Sequence, residues 1–280
     1  MYIRCWGSRG SIPVSGPEYN RYGGDTTCME VRNARDDIVI IDAGSGIRRL
    51  GNALLAEGRF DYTMLFTHLH WDHVLGLPFF KPIFLPKTTL NIRGCPFGMG
   101  ALETLLEGVM TAPYFPVPYK ALLSNITHEI ACGVDLTIGE MRITSIALNH
   151  PNKGLGYKFE ENGKSFVFLT DNELDFAHDG GLSPEDYAAF SEGADLLIHD
   201  AEYLPKQYNE LTRGWGHTLY TDALNLAIDA GVKRYGMFHI NQERTDEQVD
   251  EMVEHCNRIL KKRGVEMDCF AVAQNQEFEL

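Results

Sequence analysis

Apolar residues along this chain gather into short unbroken runs, and each run ends at a polar residue able to do chemistry. Ile38-Val39-Ile40-Ile41 precedes Asp42, Tyr62 to Thr67 precedes His68, and Met141 to Leu148 precedes His150. Phe166 to Leu169 leads to Asp171, Asp195 to Ile198 to His199 and Asp200, and Arg234 to Phe238 to His239. Runs of this length rich in β-branched and aromatic residues predict strands. Glu161-Asn162-Gly163 predicts a hairpin turn that returns the chain from His150 to Asp171 on one sheet edge.

Between the runs, apolar residues recur at helical spacing. Ile47, Leu50, Leu54 and Leu55 predict a helix stopped by Gly58, and Ser183-Pro184 supplies an N-cap and a first-turn proline for a helix over 184–192. Thr245-Asp246-Glu247-Gln248 is a capping box ahead of Val249, Met252, Val253, Cys256, Ile259 and Leu260, with Gly264 as the stop. Residues 77–119 carry seven of the twelve prolines and one helical stretch near 101–110. That stretch reads as an inserted lid or rim, too broken by proline for core sheet. Met110, Tyr114, Phe115 and Tyr119 would give it an apolar wall over the site or the rim of a homodimer contact.

Runs of strands followed by alternating helices and strands predict an α/β protein with helices outside its sheets, in a single domain spanning 1–280. A chain 44% hydrophobic and 23% charged has ample core, which excludes disorder and a fibrous protein. The net charge of −14 has the wrong sign for gripping nucleic acid over a broad face, so a small substrate fits better. The six cysteines are widely spaced, form no C-x-x-C pair, and read as reduced, mostly buried thiols. Without an N-terminal apolar segment or a run of about 18 apolar residues, the expectation is a cytoplasmic protein with no membrane span.

The informative chemistry is Thr67-His68-Leu69-His70-Trp71-Asp72-His73. On an extended chain His68 and His70 project to one side, with Asp72 and His73 following at the turn. Imidazole and carboxylate together suit zinc, and also manganese or iron. His150, Asp171 and His239 at other strand ends bring the set to seven nitrogen and oxygen ligands, enough for two divalent metal ions.

With NHP at 149–151, LTD at 169–171 and FHI at 238–240, this pattern resembles the metallo-β-lactamase superfamily and its H-x-H-x-D-H signature. The segment from Leu196 through Arg244 is similar to the phosphodiesterase branch, which includes ribonuclease Z and phosphoribosyl cyclic phosphate phosphodiesterases. The resemblance implies a four-layer αββα sandwich. It implies one metal on His68, His70 and His150, a second on Asp72, His73 and His239, and Asp171 as the bridge. Asp72 would accept a proton from water at the centre, and His217, followed by Thr218, would be a catalytic donor rather than a ligand. The expected substrate is a small or cyclic nucleotide-like phosphodiester. Alternatives are a thioester or lactone, tRNA 3′-processing without the long arm of ribonuclease Z, and a non-hydrolytic metal-binding or redox sensor.

Further features near these strand ends have readings of their own. Asp42-Ala43-Gly44-Ser45-Gly46 either supports the site or contacts phosphate. Gly7 to Ser11 reads first as a turn between strands and second as a lining of the site. His199 and Asp200 are expected to orient a ligand histidine or His217, and Trp215 to Thr218 could instead merely begin a helix capped by Thr218 or Thr221.

Overall fold

The computed structural model describes residues 1–280. In chain order the strands of its first half are β1 (Tyr2–Gly7), β2 (Cys28–Arg32), β3 (Ile38–Ile41), β4 (Asp61–Leu65), β5 (Thr89–Gly94) and β6 (Asn125–Ile130). Those that follow are β7 (Asp135–Ile138), β8 (Met141–Leu148), β9 (Gly154–Glu161), β10 (Lys164–Leu169), β11 (Leu196–Asp200), β12 (Arg234–Phe238), β13 (Asp268–Ala271) and β14 (Glu277–Glu279). The helices are α1 (Ile47–Glu57), α2 (Trp71–Val74), α3 (Leu102–Val109), α4 (Pro184–Phe190), α5 (Tyr220–Asp229) and α6 (Asp246–Arg263). No helix is long and apolar enough to cross a membrane.

Two seven-stranded sheets result, ordered β14-β1-β2-β3-β4-β5-β6 and β13-β12-β11-β10-β9-β8-β7. They face each other across a core holding Ile3, Val31 and Ile41 from one and Ile143, Phe166 and Ile198 from the other. Strand periodicity then sends Ile38, Ile40 and Met64 to the outer face of the first sheet, where Leu50 and Leu54 of α1 cover them. On the outer face of the second, Val167, Leu197 and Tyr235 pack under α5 and α6. Strands buried on both faces read as continuous apolar runs, and this is why the sequence shows runs rather than alternation. The fold is the expected αββα sandwich.

Local signals account for the element ends. Asn162 (φ 53°) and Gly163 (φ 72°) join β9 to β10 in a two-residue hairpin with Lys164 opposite Glu161. Ser183 and Asp186 form a capping box on α4, Thr245 and Gln248 another on α6, and Gly58 and Gly264 end α1 and α6 in the left-handed conformation. In contrast, α5 starts at Tyr220 with no side-chain cap. The Thr218 hydroxyl instead accepts from the Leu174 backbone N–H, 2.8 Å away, and this overturns the capping role considered for it.

Two expectations from sequence are corrected. Residues 77–119 are not wholly a surface lid, because β5 lies inside them and pairs in parallel with both β4 and β6. None of the prolines falls within Thr89–Gly94; they occupy the short turns before it, the loop between it and α3 (Pro96), and the loop after α3. Met110 and Tyr119 are buried in the outer core of the first sheet, Phe115 packs edge-on against Phe79, and Tyr114 is exposed. None of these four lines the cavity beside the candidate ligands. The cysteines, too, are not all thiols: Cys95 and Cys132 form a disulfide, while Cys5, Cys28, Cys256 and Cys269 are free and buried. The pair is 37 residues apart in sequence, but β5 and β6 are neighbours and parallel, so the residues that follow them meet.

Candidate metal centre

Both sheets deliver functional side chains to one edge. β3 and β4 are parallel, as are β10, β11 and β12. β8 and β10 both run antiparallel to β9, so they too share a direction. The carboxyl ends therefore converge, the usual location for ligands in α/β sheets. His68 follows β4, His70 leads into α2, Asp72 and His73 sit in its single turn, and His150, Asp171 and His239 follow β8, β10 and β12.

The structure brings all seven expected ligands together in two clusters whose candidate donor atoms lie within 4.8 Å of one another: His68, His70 and His150; and Asp72, His73, Asp171 and His239. One oxygen of Asp171 faces Nε2 of His239 at 3.3 Å, His73 at 3.4 Å, His68 at 3.5 Å and His150 at 3.9 Å. Asp171 thus stands between the clusters.

Four of the five candidate ligand imidazoles are oriented from behind, whereas His70 meets His150 through Nδ1 and Asn152 through Nε2. Nδ1 of His73 donates to Asp42 (2.7 Å), Nδ1 of His150 to the Gly216 carbonyl (2.9 Å), and Nδ1 of His239 to Glu202 (3.0 Å). The Thr67 hydroxyl donates to Asp42 (2.7 Å), which leaves it free to accept from Nδ1 of His68 (3.1 Å). Such bonds fix the tautomer and turn Nε2 toward the cluster, where that of His239 meets Asp72 at 2.9 Å and that of His150 meets Nδ1 of His70 at 3.0 Å. Asp42 therefore supports the ligands, and Gly44 lets the loop close against the Asp72 carbonyl, which a Cβ would meet at 2.3 Å. The Gly7 to Ser11 loop does line the site: Ser11 N–H donates to Asp72 (2.9 Å), and a Cβ on Gly10 would sit 2.4 Å from the His239 ring.

Orphaned atoms test whether a cation fits. Nε2 of His68 and Nε2 of His73 are buried with no hydrogen-bond partner. Buried polar atoms are normally paired, and these two, of a kind able to ligate a metal, face Asp171 at 3.5 and 3.4 Å. Burial holds His150 down at about 3 against the attraction of Asp171, so its imidazole is neutral and ready to bind a cation. Burial also opposes charge on His73 and His239, yet the carboxylates of Asp72 and Asp171 hold both well above the ordinary histidine range. A buried pair of carboxylates among imidazoles calls for positive charge, and the donor set fits divalent cations.

His217 lies at the rim, stacked on His239 with ring centroids 4.6 Å apart and edge-on to His150 at 5.4 Å. Its Nδ1 is 2.7 Å from Asp200 and 3.5 Å from Glu202. Burial pushes His217 down, but Glu202 and Asp200 raise it to about 9. Asp200 thus performs the orienting role expected of it. His199 does not, since it is bonded to Asn172 and the Asp200 carbonyl away from the cluster.

Sequence reasoning missed Glu202 and Glu173. Glu202 is buried and accepts from both His239 and Asn241. Glu173, also buried, accepts from the backbone N–H groups of Gly214 and Gly216 and from Tyr208, which fixes the loop leading to His217. Glu202 follows Asp200 by two residues at a strand end, the one signal that pointed to it.

An opening of about 370 Å³ borders His150, His178 and Asp179, and two others flank the centre and share His70. One, about 690 Å³, is lined mainly by polar residues and includes His217, Glu202, Lys206, Trp215 and Gln242. The other, about 230 Å³, is mainly apolar and is walled partly by α3.

Comparison with known proteins agrees with this arrangement. Residues 38–240 match the family Beta-lactamase superfamily domain. Ribonuclease BN of Cronobacter sakazakii is 24% identical over 276 residues, covering 82% of this chain and 88% of that protein. Ribonuclease Z of Thermococcus kodakarensis is 26% identical over 271 residues, covering 80% and 82%. The metallo-beta-lactamase fold protein YhfI from Bacillus subtilis superposes with a TM-score of 0.72 at 17% identity, covering 100% of this chain and 99% of that one.

Proposed function

The chain belongs to the Beta-lactamase superfamily domain family, and on that premise we propose that it is a metal-dependent phosphodiesterase acting on a small or cyclic nucleotide-like phosphodiester. His68, His70 and His150 would hold one divalent cation, and Asp72, His73 and His239 a second, with Asp171 between them and zinc the best match to the donors. Two cations so held supply Lewis acidity to a phosphoryl group and a hydroxide nucleophile at neutral pH.

The observation that carries the reading is His217, held by Asp200 and Glu202 at the rim of the ligand cluster. Raised to about 9, it is protonated at neutral pH, with Nδ1 committed to Asp200 and Nε2 left to give a proton to a leaving alkoxide. A phosphodiester with a poor leaving group needs that proton. Asp72, which accepts from Ser11 N–H at 2.9 Å, would accept the proton that water gives up.

A second reading, cleavage of an RNA 3′ end, is favoured by the names of the two ribonuclease relatives. The −14 net charge opposes it, because an RNA backbone is held by releasing its counterions to basic groups. Turnover by metal-loaded protein on bis-p-nitrophenyl phosphate, a cyclic nucleotide panel, a precursor tRNA and one thioester separates the readings. Turnover confined to the thioester overturns the phosphodiesterase, and turnover confined to the tRNA selects the second reading.

A further inference from the structure

The mainly apolar opening beside the ligands has no role in the proposed chemistry, yet His68 and His70 form one of its walls. Its other sides come from Leu69 and Val74 flanking the ligand segment, from Phe97 beyond β5, and from Leu105, Leu106 and Val109 of α3. Leu105 and Val109 are one helical turn apart and half-buried, so their free faces look onto the cavity rather than the core. The polar groups in its lining beyond the two ligand imidazoles are those of Asn152 and Lys153, and the Lys153 ammonium is paired with Asp179 at 3.1 Å. A charged or strongly hydrogen-bonding group entering here would shed water and find almost no partners, which costs more than burial returns. An alkyl group would lose only unfavourable hydration.

We propose that this cavity is the subsite for an uncharged apolar ester arm of the phosphodiester, the arm that stays on phosphorus, while the leaving alcohol occupies the polar opening. The inference rests on the phosphodiesterase reading. His217 decides which arm leaves, because it lines the polar opening and not the apolar one, and the proton donor must reach the departing oxygen. In the reaction, the water oxygen bonds to phosphorus, the P–O bond to the polar alcohol breaks, and a proton ends on that alcohol's oxygen. The product is the phosphomonoester of the apolar alcohol. The substrate is therefore a mixed diester, polar on one side and alkyl on the other.

The test uses the metal-loaded protein and the methyl, ethyl, propyl and butyl esters of p-nitrophenyl phosphate. We expect kcat/KM to rise roughly threefold to fourfold per methylene, the gain for burying one CH2. Leu105→Asn, which makes the wall polar, and Val109→Phe, which fills the space without adding polarity, should both reduce the ratio of butyl to methyl ester. A flat series in the wild type, or an unchanged ratio in both variants, overturns the subsite. Butyl glyceryl phosphate should give butyl phosphate and glycerol by phosphorus NMR, whereas butanol and glycerol phosphate would reverse the assignment of the two arms and overturn it. If no diester is turned over, the phosphodiesterase reading fails, and calorimetry with methyl- to butylphosphonate still decides the cavity. Affinity rising along that series sustains an apolar subsite, and equal affinities overturn it.

Discussion

The carboxylate of Asp200 lies 2.7 Å from Nδ1 of His217, and both are buried. Asp200 closes strand β11, whereas His217 stands on a loop seventeen residues later that Glu173 holds in place through the N–H groups of Gly214 and Gly216. A strand end thus aims a histidine that its own loop only delivers.

His217→Ala should keep its metals and its fold and lose about 10²- to 10⁴-fold in kcat on an unactivated phosphodiester, the usual contribution of a positioned proton donor. The loss should be smaller for p-nitrophenyl esters, whose leaving group departs with little protonation. Loss of a metal in this variant, read by elemental analysis, would instead make His217 a ligand.

The pH profile gives a separate check on the same pair. Because Glu202 and Asp200 raise His217 to about 9, its proton is present below that pH, and the rate should fall as pH rises through it. Asp200→Asn removes one of the two charges that favour the protonated ring, so the basic limb of kcat/KM should move to lower pH. An unmoved limb would assign it to another group.

Wild-type protein under saturating conditions should carry close to two transition metals per chain, since seven nitrogen and oxygen donors exceed what one tetrahedral site uses. Asp171→Ala should lose at least one of them, because its carboxylate faces four of the candidate ligand histidines. Retention of both would show that Asp171 is not shared.

Glu202→Gln should weaken metal binding by about 10- to 100-fold, the usual cost of altering a partner that fixes a ligand histidine. The effect runs through His239, whose Nδ1 donates to Glu202 at 3.0 Å. Competition with a chelator measures it, and equal affinity in the variant would leave Glu202 acting only on His217 and Asn241.

Cys132→Ser should lower the free energy of unfolding by about 2–4 kcal/mol, as expected when a loop of this length loses its crosslink. Reductant should do the same to the wild type and nothing further to the variant. Denaturant curves unaffected by reductant would show that the bond does not form.

Whatever rests on neighbouring residues was legible in the sequence. The H-x-H-x-D-H segment announces its ligands because an extended chain running into a helical turn leaves few directions for side chains four or five residues apart. Asn162-Gly163 fixes the register that brings His150 and Asp171 together, and the caps at Ser183 and Thr245 place two helices, since turn and cap chemistry act within a few residues. Family resemblance supplied the proposed metal grouping and the proposed role of His217, which the spacing alone leaves open.

Tertiary structure decided the relationships between distant residues. Thr89 to Gly94 becomes an interior strand of the first sheet because its neighbours pair on both sides, a fact hidden by the prolines around it. The same pairing sets Cys95 beside Cys132, and it buries Met110 and Tyr119 while turning Leu105 and Val109 of α3 toward the site. Glu202 matters only because β11 and β12 are adjacent, which puts it behind His239. The sequence by itself determined which groups could bind a cation and in what local geometry, because those constraints are short-range and covalent. Which distant groups orient them, and which apolar side chains wall the cavity beside them, depends on how two sheets and their helices pack.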